Sequence, residues 1–245
     1  MGRAGFGDRV EGFHAVSAAA AAGRVLTLHV ERPRLNKADV AALVASIRDS
    51  GGSVREVDDV RRLADTTAPQ GVVAECRPRP ASSLEGVVAS SDPAAVLVLD
   101  RVIDPHNLGA IVRSAIAAGV KGFVVSDRRA APLGAAAFKA AAGALEHATV
   151  ALVGSIAEAV ARLKRLGLWT VGLDAGADRS LFGLDLLAEP VALVVGGEGG
   201  GLSRLVAERL DVAVSIPMPG PTESLNVSVA AALATFELSR MRSYE

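Results

Sequence analysis

Three short segments of the chain combine glycine, amide, hydroxyl and cationic side chains at the ends of apolar runs. They are 104–113 (DPHNLGAIVR), 194–203 (VVGGEGGGLS) and 215–230 (SIPMPGPTESLNVSVA). Glycine lets backbone N–H groups come close to a ligand. An open α/β sheet binds ligands beyond the carboxyl ends of its strands, where helix N-termini also converge. We therefore expect the three segments to form the walls of one binding pocket.

The first segment brings an amide and a cation to the start of a helix. Asp104 is a good N-cap, and Pro105 is tolerated at the first helical position. Asn107 then lies in the first turn. Helical side chains incline towards the N-terminus, so we expect the guanidinium of Arg113 to reach back over Asn107 towards Asp100. The alternative is a capped surface helix with a solvated arginine.

The second segment is a glycine run, Gly196–Gly201, interrupted only by Glu198. Glycine tolerates positive φ and close backbone approach, so the run fits either a ligand loop or a tight turn. Its spacing does not match G-x-G-x-x-G, and no ribose-binding acid follows about 20 residues later. The sequence therefore argues against a nicotinamide-dependent dehydrogenase.

The third segment leads into the last helix. Three prolines and a glycine prevent regular structure before Ser224, which we expect to cap that helix. Asn226 would then lie in the first turn, although asparagine is a poor helix former. A helix N-terminus that presents a hydroxyl and an amide is also suited to binding an anion or another polar ligand.

Apolar periodicity predicts an α/β protein with two domains. Residues 77–93 are rich in Pro, Ser and Arg, so we expect a linker there, between domains 1–76 and 94–245. In the first domain we expect strands at Val25–Val30, Ser53–Val57 and Gly71–Glu75. We also expect an amphipathic helix at Lys37–Ser50 and a short helix at Val60–Leu63.

In the second domain, apolar strands alternate with helices, which predicts a largely parallel sheet covered on both faces. The expected strands are Val96–Leu99, Gly122–Ser126, Val150–Val153, Trp169–Leu173, Val191–Val195 and Val212–Ile216. The expected helices are Asn107–Ala118, Ala135–Ala144, Ile156–Leu166, Leu202–Leu210 and Leu225–Arg242.

Composition sets limits on location and ligands. The longest apolar runs are far shorter than the ~18–20 residues that cross a bilayer, and no signal peptide is evident. The single cysteine, Cys76, fits a reducing compartment, so we expect a cytoplasmic protein with no membrane partner and no metal. With 3% aromatic residues and a formal net charge of −1, the sequence shows neither a platform for stacking bases nor the basic excess that many nucleic-acid-binding proteins have.

Together, the three segments resemble, in order and spacing, the three motifs of the SpoU-type (SPOUT superfamily) 2′-O-ribose RNA methyltransferases. The similarity extends through 139–147 (KAAAGALEH) to 12–19 (GFHAVSAA) near the N-terminus. The resemblance implies a C-terminal parallel-sheet domain tied in a trefoil knot and a small N-terminal α/β domain, similar to ribosomal protein L30e, that binds the substrate. It also implies a homodimer.

The resemblance further implies S-adenosylmethionine as cofactor. By matching motifs, backbone groups of Gly196, Ile216 and Leu225 would hold its adenine and ribose. Neighbouring turn residues, Gly197, Gly201 and Met218, would close the pocket.

The implied reaction is methyl transfer to the ribose 2′-hydroxyl of a guanosine in large-subunit (23S) ribosomal RNA. The matching catalytic residues are Arg113, Asn107, Glu198, Ser224 and Asn226. Arginine is effectively never deprotonated in proteins, so our hypothesis is that Arg113 binds the adjacent RNA phosphate and stabilises the developing alkoxide, while that phosphate or a water accepts the proton. Glu198 would orient Arg113 or Asn226.

Other functions stay open at this point. The RNA could be a transfer RNA, or a ribosomal adenosine whose methylation gives antibiotic resistance. A non-catalytic RNA-binding protein is a further alternative, against which the complete set of motif residues argues. Arg240 and Arg242 resemble a basic pair that contacts RNA in this family, although cations near a helix C-terminus are equally explained by the helix dipole.

Overall fold

The computed structural model of the protein describes residues 5–128, 130–197 and 199–243. Contacts divide these residues into two compact units. The first comprises the described residues of Met1–Pro80 together with Pro132–His147, and the second those of Ala81–Ala131 and Ala148–Glu245. The segment 132–147, expected within the C-terminal domain, therefore packs with N-terminal residues. The functional division into 1–76, 77–93 and 94–245 stays a prediction.

Strands and helices alternate along most of the described chain. In chain order they are β1 (Arg9–Glu11), α1 (Phe13–Ala21), β2 (Val25–Glu31), α2 (Ala38–Asp49), β3 (Ser53–Val57), β4 (Val72–Cys76), α3 (Leu84–Val88), β5 (Ala95–Asp100), α4 (Pro105–Ala117), β6 (Gly122–Ser126), α5 (Ala135–Ala140), β7 (Thr149–Val153), α6 (Ile156–Arg165), β8 (Trp169–Leu173), β9 (Val191–Gly196), α7 (Arg204–Ala207), β10 (Val212–Val214) and α8 (Val227–Ser243). Short 3-10 turns lie at Arg32–Arg34, Val60–Arg62, Ala144–His147 and Asp185–Leu187.

The structure corrects several expected elements. The helix expected over Leu202–Leu210 is only the four residues of α7. The helix expected to reach Ala144 ends at Ala140, because Ala142 and Gly143 both have positive φ, 49° and 94°. Helix α3 lies inside the expected linker, where the hydroxyl of Ser83 caps it by accepting the N–H of Gly86.

The first unit is built on a mixed four-stranded sheet in the order β1-β4-β2-β3. Strand β4 is antiparallel to β1 and β2, and β3 is parallel to β2. Glu11, at the end of β1, is fully buried and accepts the N–H groups of Asp65 and Thr66. A buried carboxylate needs such partners, so this one fixes the loop that precedes β4.

Pro132–His147 joins the first unit through a buried ion-pair cluster. The carboxylate of Glu146, only 2% exposed, lies 2.5 Å from Nη2 of Arg24 and 3.2 Å from Nη1 of Arg79. The Arg24 guanidinium also stacks 5.7 Å from the centre of the buried Phe138 ring. Loss of one partner would leave a buried charge uncompensated, so this segment is part of the unit's core.

The second unit is built on a parallel sheet in the order β10-β8-β9-β5-β6-β7. Every residue of β5 is buried, as expected where helices cover both faces of a sheet. Helix α6 buries Val160 and Leu163 against this sheet, and α8 packs against α4 and β9. The predicted parallel sheet is confirmed, whereas the trefoil knot stays a prediction.

The strand register brings the functional segments to one edge of this sheet. Asp100, the last residue of β5, lies opposite Gly196, the last residue of β9. On the other side of β9, Leu173 at the end of β8 lies opposite Val214 of β10. Because all the strands are parallel, the turns that follow them emerge at the same edge.

Candidate functional site

A cavity of about 660 Å³ opens at this edge, beyond the ends of β8, β9 and β10. Such a volume is typical of small-molecule sites. All six residues predicted to bind a cofactor lie along it, namely Gly196, Gly197, Gly201, Ile216, Met218 and Leu225. Ser224 and Asn226 line the same cavity. The structure thus brings the second and third segments together, and the predicted binding roles of these residues stay predictions.

The loop formed by the glycine run 196–201, called the glycine loop below, requires glycine at two positions. A Cβ on Gly196 would lie 2.2 Å from the carbonyl carbon of Gly201, and a Cβ on Gly197 would lie 2.1 Å from the carbonyl oxygen of Arg101. Gly197 and Gly201 also form a β-bridge. The loop is therefore folded back on itself, with its backbone forming one wall of the cavity.

Helix α4 begins as the sequence predicts. The carboxylate of Asp104 accepts the N–H of His106 at 2.8 Å, and Pro105 occupies the first helical position. Asn107 follows in the first turn. Its Oδ1 accepts a hydrogen bond from Nδ2 of Asn226, 3.2 Å away, so the first segment meets the third.

The cap of the last helix is Asn226 and not Ser224, which corrects the sequence-based expectation. Asn226 immediately precedes α8, and its Oδ1 accepts both the N–H of Ser228 at 2.8 Å and its hydroxyl at 2.6 Å. Because Oδ1 is used in this way, the Nδ2 donor faces Asn107. Ser224 lies two residues earlier in the exposed loop.

Arg113 lies on an exposed position of α4, two turns from its start. Among the residues that the structure describes, Arg113 forms no hydrogen bond or ion pair with Asp100 or any other residue, and its expected reach towards Asp100 stays a prediction. Asp100, which is only 4% exposed, instead accepts the N–H of Ser203 at 2.7 Å. Within the described residues, the side chain of Arg113 is thus exposed and makes no contact of this kind. Glu198, the remaining predicted catalytic residue, lies outside the described residues.

Arg242, one residue of the basic pair near the C-terminus, forms hydrogen bonds with the main chain. The guanidinium of Arg242 donates to four backbone carbonyls, those of Leu187, Pro93, Ala94 and Glu189. Burial lowers the pKa of Arg242. Four of its N–H donors are therefore bound to the main chain, which favours a structural role, and an RNA contact of this side chain stays a prediction.

Arg240 is paired with a buried carboxylate. Its guanidinium lies 2.7 Å from Oε1 of Glu237, which also accepts the N–H of Gly183. The hydrogen bond from Arg240 holds the pKa of the Glu237 carboxyl below its usual range. This pair fixes the loop at Gly183 to α8, so Arg240 also has a structural role.

Two residues of the site were not singled out from the sequence. Asp174, just after β8, is the one acidic side chain on the lining of the cavity among the residues that the structure describes. Arg101 follows β5 with φ of 60° and binds carbonyls of the glycine loop. A charged residue directly after an apolar parallel strand is the signal that could have identified both.

The described parts of the chain contain no group of three or more His, Cys, Asp or Glu side chains placed to hold a metal ion. Within the same residues, no helix has the length and apolar character needed to cross a membrane.

Comparison with known proteins identifies two sequence families along the chain. Residues 94–236 match the model of the SpoU rRNA Methylase family. Residues 9–81 match the RNA 2′-O ribose methyltransferase substrate binding domain.

Individual relatives agree with these matches. A Synechocystis protein described as an uncharacterized tRNA/rRNA methyltransferase is 36% identical over 97% of this chain. The match covers 64% of that relative, so this chain spans less than two thirds of the relative's length. The 23S rRNA (guanosine-2′-O-)-methyltransferase RlmB of Xanthomonas campestris is 43% identical over 75% of this chain and 78% of its own. Among solved structures, the SpoU methyltransferase AviRb of Streptomyces viridochromogenes, in complex with AdoMet, has a TM-score of 0.80 at 29% identity and covers 97% of this chain and 91% of its own.

Proposed function

Because this chain belongs to the SpoU rRNA methylase family, we propose that it transfers a methyl group from S-adenosylmethionine to a ribose 2′-hydroxyl of RNA. The main supporting observation is that the glycine loop and the loop before α8 line the same cavity. Asn226, which also lines it, is hydrogen-bonded to Asn107. A relative of known structure binds this cofactor.

The cavity walls suit the chemical character of this cofactor. Apolar side chains of Leu173, Val195 and Ile216 provide surface for a planar base, and the glycine loop provides backbone groups for its polar edge. Asp174 adds a negative charge on the wall, which favours a cationic ligand. When bound, S-adenosylmethionine supplies an electrophilic methyl group.

Arg113 is the residue to which we assign the RNA side of the reaction. It is exposed and carries five N–H donors that can bind a phosphate in a fork geometry. Since a guanidinium does not accept a proton at neutral pH, Arg113 stabilises negative charge on the 2′-oxygen, and a phosphate oxygen or a water takes the proton.

Asn107, Ser224 and Asn226 position the reacting groups in this proposal. The Asn226–Asn107 hydrogen bond joins the starts of α8 and α4, so two helix N-termini lie together. Helix N-termini favour anions, which suits the RNA phosphate. Glu198 would orient Arg113 or Asn226.

We propose a guanosine of large-subunit ribosomal RNA as the substrate. The identity to RlmB from Xanthomonas campestris favours it, and the match of residues 9–81 to a substrate-binding domain favours a structured RNA. Transfer RNA is the second candidate, because the name of the Synechocystis relative includes both RNAs. These substrates also make the cytoplasm the proposed location.

We further propose that the protein is a homodimer that pairs through α8. Val229, Leu233 and Phe236 are each more than one third exposed, and their spacing places them on one helix face. Replacing Leu233 and Phe236 by aspartate should convert a dimer to a monomer in light scattering coupled to size-exclusion chromatography. A wild-type protein that is monomeric at micromolar concentration would contradict this assembly.

Calorimetry and a transfer assay together test the proposed function. The protein should bind S-adenosylmethionine and not NAD. With methyl-labelled cofactor and ribosomal RNA, the label should appear in 2′-O-methylguanosine after digestion to nucleosides. Label in transfer RNA alone would select the second candidate, and binding of NAD with no methyl transfer would contradict the proposal.

A further inference from the structure

Arg101 has a backbone conformation that arginine rarely adopts. It directly follows β5 with φ of 60°, in the left-handed region where a Cβ is unfavourable and where glycine or asparagine is common. A residue held in this region needs compensating contacts from its surroundings. The contacts that Arg101 makes therefore indicate what its unusual conformation achieves.

Besides an ion pair in which its Nε lies 3.9 Å from Oδ2 of Asp100, the hydrogen bonds of the Arg101 side chain are with the glycine loop. The Nη2 group of Arg101 donates to the carbonyl oxygen of Gly201 at 3.0 Å and lies 3.4 Å from that of Gly200. The backbone carbonyl of Arg101 packs so closely on Gly197 that a Cβ there would clash. One residue thus contacts the loop at both its beginning and its end.

The neighbouring residue reinforces this arrangement. Asp100 accepts the N–H of Ser203 at 2.7 Å, just after the loop. Two consecutive residues at the end of β5 therefore hold the glycine loop, one through a buried carboxylate and the other through a guanidinium that is half exposed.

Arg101 acts from outside the cofactor cavity. Gly197 and Gly199–Gly201 line that cavity, whereas Arg101 lines a separate one of about 370 Å³. A loop with this many glycines has large conformational entropy when unrestrained. Fixing it before binding lowers the cost of association.

We propose that Arg101 is a positioning residue that holds the glycine loop in the conformation that binds the cofactor. The inference rests on the proposed function, in which this loop forms part of the S-adenosylmethionine site. Arg101 does not touch the reacting groups, so its substitution should change cofactor affinity and loop order and leave the stability of the fold unchanged or higher.

The test compares Arg101→Gly, Arg101→Asn and Arg101→Lys with wild type. Glycine and asparagine accept positive φ, so both variants remove the guanidinium without adding strain. Loss of a charge-assisted hydrogen bond should raise the dissociation constant for S-adenosylmethionine roughly tenfold. Lysine keeps one donor group and should show a smaller increase. The melting temperatures of the glycine and asparagine variants should equal or exceed that of wild type.

Hydrogen–deuterium exchange of the cofactor-free proteins provides a readout independent of binding. The peptide covering 197–203 should exchange roughly tenfold faster in Arg101→Gly than in wild type, because the loop opens locally. Arg204→Ala is the matched control, since Arg204 is 83% exposed and pairs only with the nearby Glu208 among the described residues. It should leave affinity and exchange unchanged.

Unchanged exchange and unchanged affinity in Arg101→Gly and Arg101→Asn would overturn the inference. So would a fall in melting temperature that parallels the loss of affinity, because Arg101 would then simply stabilise the fold. If wild type does not bind S-adenosylmethionine, the proposed function fails, and the exchange experiment still decides whether Arg101 orders the loop.

Discussion

Asn226 donates a hydrogen bond from Nδ2 to Oδ1 of Asn107 at 3.2 Å, while its own Oδ1 accepts the N–H of Ser228. One side chain therefore caps α8 and connects its start to the start of α4. These two roles use different atoms, so substitution can separate them.

Asn226→Asp should keep the cap and lose the donor that faces Asn107. Aspartate is as good an N-cap as asparagine, so the melting temperature should stay at the wild-type value, whereas methyl transfer should fall at least roughly tenfold because two oxygens then face each other. Asn226→Ala should lose both roles and cost about 1 kcal/mol of stability. Thermal unfolding and steady-state kinetics measure the two effects, and full activity in Asn226→Asp would show that the hydrogen bond is dispensable.

Arg113→Ala should abolish turnover and leave cofactor binding intact. Removing a group that stabilises transition-state charge lowers kcat by roughly 100-fold or more, and Arg113 does not line the cofactor cavity. Calorimetry should give a dissociation constant for S-adenosylmethionine close to that of wild type. Arg113→Lys tests whether the fork geometry is needed, since lysine keeps the charge alone. Near-normal methylation by Arg113→Ala would remove this residue from the mechanism.

Arg242→Met should destabilise the protein by about 2 kcal/mol, the range for hydrogen bonds from a charged group. The reason is that its guanidinium binds the carbonyls of Leu187, Pro93, Ala94 and Glu189. Denaturant unfolding measures the loss. A variant with wild-type stability and weakened RNA binding would instead restore the RNA contact that the sequence suggested.

Cys76 should make the fold sensitive to alkali. Burial raises the pKa of its thiol from 9.0 to about 12. The neutral form is thus favoured in the folded state, and the stability that this provides is present below about pH 9 and is lost as pH rises towards 12, by at most about 1.4 kcal/mol per pH unit. Unfolding of wild type and Cys76→Ala at pH 8 and 10.5 should show a steeper decline for wild type. Equal slopes would contradict the buried neutral thiol.

Much of the second unit could be predicted because its signals are local. Apolar runs gave strands β6 and β8 with their correct bounds, and the parallel arrangement followed from their alternation with helices. The ends of parallel strands share one edge, so the turns that contain Gly196 and Ile216 could be expected in one cavity.

The remaining features depend on contacts between distant segments. Ser224 and Asn226 are both good capping residues, and the path of the loop before α8 decides which one caps. Arg242 lies near the C-terminus of α8, where a solvated cation would also be favourable. Its partners, the carbonyls of Leu187 and Pro93, are distant in sequence, so the local pattern does not indicate them. Arg101 has φ of 60° and donates a hydrogen bond to the carbonyl of Gly201, and its position after an apolar strand does not indicate either its φ or this partner.

We propose that this chain methylates a ribose 2′-hydroxyl through Arg113. The most direct test is mass-spectrometric mapping of ribose methylation in large-subunit ribosomal RNA from cells that lack the gene, complemented with wild type or with Arg113→Ala. We predict that one 2′-O-methylguanosine is missing without the gene, returns with wild type and stays missing with Arg113→Ala. An identical methylation pattern in all three strains would contradict it.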